Sequence, residues 1–242
     1  DSTLAAHSFQ NVAALPRNLY SVIAVYQLAT IRYKRANYSE ALENYKQLLT
    51  LADVEDMLIA AKVGIMRCNA QLQQHQNTVE ACTNVLSLSG IPQELQIEAT
   101  FLRATSFFAL QDLDKALSDF KTLAPNTRSV EGAEARFRIA QIAHQQGKAQ
   151  DAEQEIFDFI KQSTPHYKWL GNSFLLLATI FKEKGDNFQA KSYLQSLLDN
   201  YPSDTDGIKN EATEILQQIM QSENQSFEKQ ADDVVIDMQK EK

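Results

Sequence analysis

The residue types that most often carry chemistry are few in this chain and widely scattered. The four histidines, His7, His75, His144 and His166, are far apart. None has a second histidine four positions away, the spacing that places two imidazoles on one helical face to hold zinc. Cys68 and Cys82 form no C-x-x-C pair and have no histidine at a metal-ligand spacing, which leaves two small buried hydrophobes or a bridge between helices. There is no G-x-G-x-x-G, no G-K-[ST] phosphate loop and no G-x-S-x-G elbow, so nucleotide binding and acyl transfer lack their usual signals. Hence no catalytic, cofactor-binding or metal-ligating residue is assigned, no cofactor is expected, and the chain is read as a non-enzyme. Lys plus Arg is 23 against 31 Asp plus Glu, a net charge of −8, and no basic run could track a phosphate backbone, so nucleic acid is not an expected partner. No apolar run reaches the roughly 20 residues that span a bilayer, and no membrane insertion of this segment is expected.

The elements behind this chemically quiet surface are easier to read. Only 7 Gly and 5 Pro punctuate 242 residues, and 44% are hydrophobic, a composition that favours long helices over many short strands. The chain also repeats itself. Segments 28–49, 68–88, 103–123, 139–159 and 177–197 align on a small residue that opens a second helix: Ala41, Ala81, Ala116, Ala152 and Ala190. Twelve residues earlier stand Ala29, Asn69, Ala104, Ala140 and Ala178. Four and seven residues later stand bulky side chains such as Tyr45 and Leu48, Phe120 and Leu123, or Leu194 and Leu197. Spacings of four and seven share one helical face, and small residues on both helices let the backbones approach closely. Each block is therefore predicted to be a helical hairpin. Glu40, Glu80, Asp114 and Asp151 fall at predicted second-helix starts, where a carboxylate favours the positive end of the helix dipole.

This pattern resembles the tetratricopeptide repeat. Gly147 and Gly185 match its turn glycine, with Ala36, Gln76 and Gln111 at the other turns, and Pro125, Pro165 and Pro202 fall near its closing proline. The resemblance covers about residues 5–202 and implies an all-α fold, a right-handed superhelix of antiparallel helical hairpins with about twelve helices. The expected order is a half repeat at 1–16, repeats at about 18–52, 54–90, 92–125, 129–164 and 166–202, a capping helix at 205–222 and a flexible charged tail at 223–242. Residues 1–16 carry only the second-helix half of the pattern, from which the natural polypeptide is expected to continue upstream.

The resemblance implies a job as well: a non-catalytic interaction scaffold that takes a peptide or helix of a protein partner in a groove lined by first helices. An accessory domain of a larger enzyme, or a structural or oligomerisation spacer, stays open as an alternative. Carried over block by block, the groove residues are Tyr26, Thr30 and Tyr33, then Met66, Ala70 and Gln73, then Phe101, Thr105 and Phe108. Phe137, Gln141 and His144 follow, then Leu175, Thr179 and Lys182. Aromatic and aliphatic side chains stand where the chaperone-binding members of the family hold the Lys of a carboxylate clamp, so an apolar partner segment suits this surface better. Trp169 is expected in the packing between repeats. In the second hairpin, Asn69 and Ala81 are expected to face each other and turn Cys68 and Cys82 about 100° aside on their helices, which predicts two free, buried thiols.

The final stretch, 189–219, is similar to repeats of bacterial envelope proteins of the outer-membrane assembly lipoprotein and periplasmic cell-division coordinator groups. That likeness implies a periplasmic or outer-membrane-associated protein, with a cytoplasmic one as the alternative.

Overall fold

The computed structural model describes residues 2–16 and 18–240, with side chains for 4–16 and 18–225. Among them are twelve helices and no strand. The chain divides into two compact units, Asp1–Leu123 and Ala124–Lys242.

The first unit contains α1 (Ser2–Ala13), α2 (Leu19–Lys34), α3 (Tyr38–Leu51), α4 (Glu55–Gln71), α5 (His75–Leu86), α6 (Gln93–Ala109) and α7 (Leu113–Leu123). Each helix packs on the next in sequence. Helix α2 starts where Asn18 and Ser21 close a capping box: Asn18 Oδ1 accepts from the Ser21 amide at 3.0 Å and Ser21 Oγ from the Asn18 amide at 2.9 Å, which satisfies donors the helix start would otherwise leave open. Its core is built from the predicted positions: Ala29, Ala41, Tyr45 and Leu48 are buried together with Cys68. Gly64 marks the closest approach. A Cβ there would lie 2.4 Å from the Tyr45 ring, so the ring lies against bare backbone.

The second unit contains α8 (Val130–Gln145), α9 (Ala149–Ile160), α10 (Tyr167–Glu183), α11 (Asn187–Asn200) and α12 (Ile208–Lys240). Here α8 packs on α9, α9 on α10, α10 on α11 and α11 on α12. Ala140, Ala152 and Ile156 are buried with Leu177 and Ile180. Ala178, Ala190, Leu194 and Leu197 form a further cluster with Ile208, Ala212 and Ile219 from the start of α12, and Ile215 packs against it. That stripe was the predicted capping helix. The helix itself is longer than predicted and takes in the backbone of 223–240, the stretch read from sequence as a flexible tail.

All five hairpin turns use a left-handed residue: Ala36, Gln73, Gln111, Gly147 and Gly185, with φ between 55° and 78°. In each, the following amide reaches back to a carbonyl five residues earlier, as from Asn37 to Arg32 and from Lys148 to Ala143, both at 2.9 Å. This closes the helix in a Schellman motif. The second turn corrects the sequence alignment. Its left-handed residue is Gln73, while Gln76 lies inside α5. Counting from the turn, the residue equivalent to Ala41 is Thr78, followed at four and seven by Cys82 and Val85, all three fully buried. The aligned anchors become 41, 78, 116, 152 and 190, a more even series than with Ala81. The error was one of three residues, and residues three apart share a helical face, so the apolar stripe looks alike in either register. Glu80 accordingly lies beyond the first turn of α5, which holds no acidic residue.

Two groove assignments fall with that register. Met66 is fully buried, at the position that holds Ala29 in the first repeat, and Gln73 is the exposed turn residue itself. The thiols are free and buried, as expected, for a different reason. Cys68 packs with the preceding hairpin around Tyr45, whereas Cys82 belongs to the cluster of Met66, Val85 and Ala99.

Candidate partner-binding faces

Each first helix presents one row of side chains at a spacing of four and three residues. In the first unit that row is Tyr26, Thr30 and Tyr33 on α2 and Phe101, Thr105 and Phe108 on α6, all half-buried. On α4, the corrected register makes it Val63, Arg67 and Ala70. Val63 is buried, Ala70 half-buried and Arg67 exposed. The threonines add little polarity. Thr30 Oγ1 donates to the Tyr26 carbonyl at 2.9 Å and Thr105 Oγ1 to that of Phe101 at 3.0 Å, so each hydroxyl is satisfied by its own helix.

Arg67 is the functional candidate hidden from the sequence, because a register three residues off sets Ala70 at the middle place of the row. Its guanidinium grips Glu98 of α6 with two bonds, Nε to Oε1 at 2.6 Å and Nη2 to Oε2 at 2.7 Å. This bidentate geometry joins the middle and last first helices of the unit. The hydrogen bond to Glu98 holds the Arg67 pKa above its ordinary value, against the opposing effect of burial. Beside it the Tyr33 phenol is pushed up by burial, partly offset by the positive charge of Arg67. Tyr33 also meets Tyr38 edge to face, with centroids 5.3 Å apart. The face is thus two pairs of aromatic rings around a single, internally satisfied ion pair.

The equivalent rows of the second unit are built differently. Phe137 is 8% exposed and stacks on Trp169 with centroids 5.7 Å apart, so neither ring is free for a partner, and Trp169 takes the packing role predicted for it. Leu175 is 4% exposed and likewise in the core. The Arg138 guanidinium covers both rings, 5.6 and 5.7 Å from their centroids, and bonds Glu134 and Gln141 at 2.9 Å. Burial pushes the Glu134 carboxyl up in spite of Arg138. Nearby polar groups pair along the row: His144 Nε2 with Glu183 at 2.7 Å, and Lys182 Nζ with Gln218 at 2.9 Å. Thr179 Oγ1 donates to the Leu175 carbonyl at 2.9 Å. Of the predicted groove residues here, Gln141, His144, Thr179 and Lys182 are half-buried, and Phe137 and Leu175 are in the interior.

Two tetratricopeptide-repeat family models match the sequence, one over residues 98–167 and one over 172–204. The matched segments are tetratricopeptide repeats. Solved structures of the same architecture align with most of the chain. A structure of MamA protein covers 74% of this chain and 90% of its own at 13% identity, with a TM-score of 0.59. YrrB, described as a TPR protein with an unusual peptide-binding site, covers 80% and 92% at 16% identity, with a TM-score of 0.58. At these identities the likeness shows the fold: an all-α solenoid of tetratricopeptide-type hairpins. No curated protein matches the sequence. The envelope resemblance of 189–219 gains nothing from these matches and rests on that stretch alone. Among the described residues no group of three or more His, Cys, Asp or Glu side chains could hold a metal ion, and no helix is long and apolar enough to cross a membrane.

Proposed function

We propose that this chain is a non-catalytic scaffold that binds an apolar peptide segment or helix of a protein partner on the first-helix face of its first unit. The observation that carries this reading is the half-buried aromatic row of Tyr26, Tyr33, Phe101 and Phe108 around the Arg67 and Glu98 pair. Rings of this kind supply large apolar contact area at low entropic cost. The hydrogen bonds of Thr30 and Thr105 within their helices keep the face receptive to apolar side chains rather than to a polar chain. An occurrence of peptide binding on the same fold, in YrrB, fits this reading. The second-unit row, with its rings covered and its polar groups paired, contributes less.

The test is selection of peptides from a displayed random library by the intact chain. The selected peptides should be apolar and should lose at least tenfold in affinity, about 1.4 kcal/mol, against the double variant Tyr33→Ala, Phe108→Ala. Failure to select any peptide, or equal binding by the double variant, would remove the proposal. A periplasmic home, proposed from 189–219, is tested separately by fractionating the native host.

A further inference from the structure

On the other side of α4 from Arg67 lies a cavity of about 360 Å³ between α3, α4 and α5. Its floor is made by Lys62, Ile65 and Asn69, spaced three and four along α4 and so on one helical face. Two of the positions that line it differ between repeats. In the fifth repeat they hold Phe181 and Tyr193, whose rings stack with centroids 5.5 Å apart. In the first they hold Arg32 and Asn44, joined by a 2.7 Å hydrogen bond. In the second they hold Asn69 and Ala81, too short to meet across the gap.

Asn69 is 4% exposed, yet its carboxamide bonds no described group. No side-chain polar atom that is sealed from solvent lacks a partner, so the amide of Asn69 is reached through the cavity whose wall it forms. That leaves the carboxamide, with a donor and an acceptor to offer, open to a ligand in the cavity. Around it stand Lys62, Asn84 and Glu80, none of whose side chains is engaged by another described group. Asn77 gives one amide hydrogen to Gln74 at 3.0 Å, and Lys46 is held by Glu43 at 2.9 Å. Leu49, Ile65 and Ala81 supply the apolar part of the lining.

We propose that this cavity binds a single carboxylate carried on a short aliphatic stem. The carboxylate would accept from the Asn69 amide and the Lys62 ammonium, with its stem on Leu49 and Ile65. Glu80 at the rim disfavours phosphate and other multiply charged anions and admits a ligand that also carries a donor, such as the amine or backbone N–H of an amino acid. The chemistry is that of a glutamate side chain, whether free or within a peptide. The site lies away from the aromatic face and stands or falls independently of it.

The test uses the full chain, isotopically labelled, titrated with sodium L-glutamate, with acetyl-Ala-Glu-Ala-amide and with acetyl-Ala-Gln-Ala-amide, while the side-chain amide resonances are followed. The expected result is movement of the Asn69 signal with one or both carboxylates and little or none with the glutamine peptide. Response to glutamate alone identifies a free metabolite, and response to the glutamate peptide alone a partner's side chain. Lys62→Gln should weaken binding about tenfold without altering the melting temperature. Asn69→Phe, which installs the ring found at this position in the fifth repeat, should abolish it in a folded protein. No movement with either carboxylate, equal response to the glutamine peptide, or undiminished binding by Lys62→Gln would overturn the proposal.

Discussion

The two units share one hairpin plan and use it to make opposite surfaces. In the first, Tyr33 and Phe108 remain half-buried beside the Arg67 and Glu98 pair. In the second, Phe137 is covered by Trp169 and Arg138, and the polar positions of the row bond neighbouring side chains or their own helix. Repeat architecture fixes which positions point outward, and side-chain identity then decides whether those positions are free. A ring at a groove position becomes a binding element only if no neighbour is long enough to close over it. Trp169 is such a neighbour for Phe137.

The largest expected effect tests the packing beneath the first unit's face. Gly64→Ala would place a Cβ 2.4 Å from the Tyr45 ring, an overpacking expected to cost about 1–3 kcal/mol. Gly171→Ala, whose Cβ would meet Tyr201 at 2.8 Å and Ile208 at 3.1 Å, should cost less. Urea unfolding of both variants checks the order, and a reversed order would show that the tighter approach is not the first unit's. Next in size is the contrast between faces. Tyr33→Ala with Phe108→Ala should weaken peptide binding at least tenfold, and His144→Ala with Lys182→Ala less than twofold, by calorimetry on a selected peptide. Comparable losses from both pairs would erase the distinction between the two faces.

Smaller effects sharpen it. The turns of the first unit hold Ala36, Gln73 and Gln111 in the left-handed region, while those of the second hold Gly147 and Gly185. Gln73→Gly and Gln111→Gly should each stabilise by about 0.5 kcal/mol, since the relief of left-handed strain slightly exceeds the added chain entropy. Gly147→Ala should do the reverse, and thermal melts would rank them. The smallest effect is chemical. Burial pushes the Cys68 and Cys82 thiols from 9.0 up to about 12, so neither should react with a disulfide reagent at pH 8 until the protein unfolds, when both should. Because the unfolded thiols ionise first, their contribution to stability is intact below pH 9 and is lost as pH rises towards about 12. Stability measured over that range should fall less steeply in a Cys68→Ala, Cys82→Ala variant.

The sequence by itself determined the hairpins, their number and four of their five registers. Small residues at Ala29 and Ala41, or Ala178 and Ala190, let two such helices approach closely, and bulky residues four and seven further on must share the face behind them. It also placed Tyr26, Tyr33, Phe101 and Phe108 in one row. Only the tertiary structure decided the rest. A slip of three residues keeps a side chain on nearly the same helical face, so Thr78 and Ala81 were interchangeable until the left-handed turn at Gln73 counted the residues. With that turn came Arg67 in the row, Met66 in the core and Asn69 at the floor of a cavity. Exposure was hidden for a similar reason: periodicity says where a side chain points from its own helix, and whether Trp169 lies over Phe137 depends on another helix's length and approach, which only packing specifies.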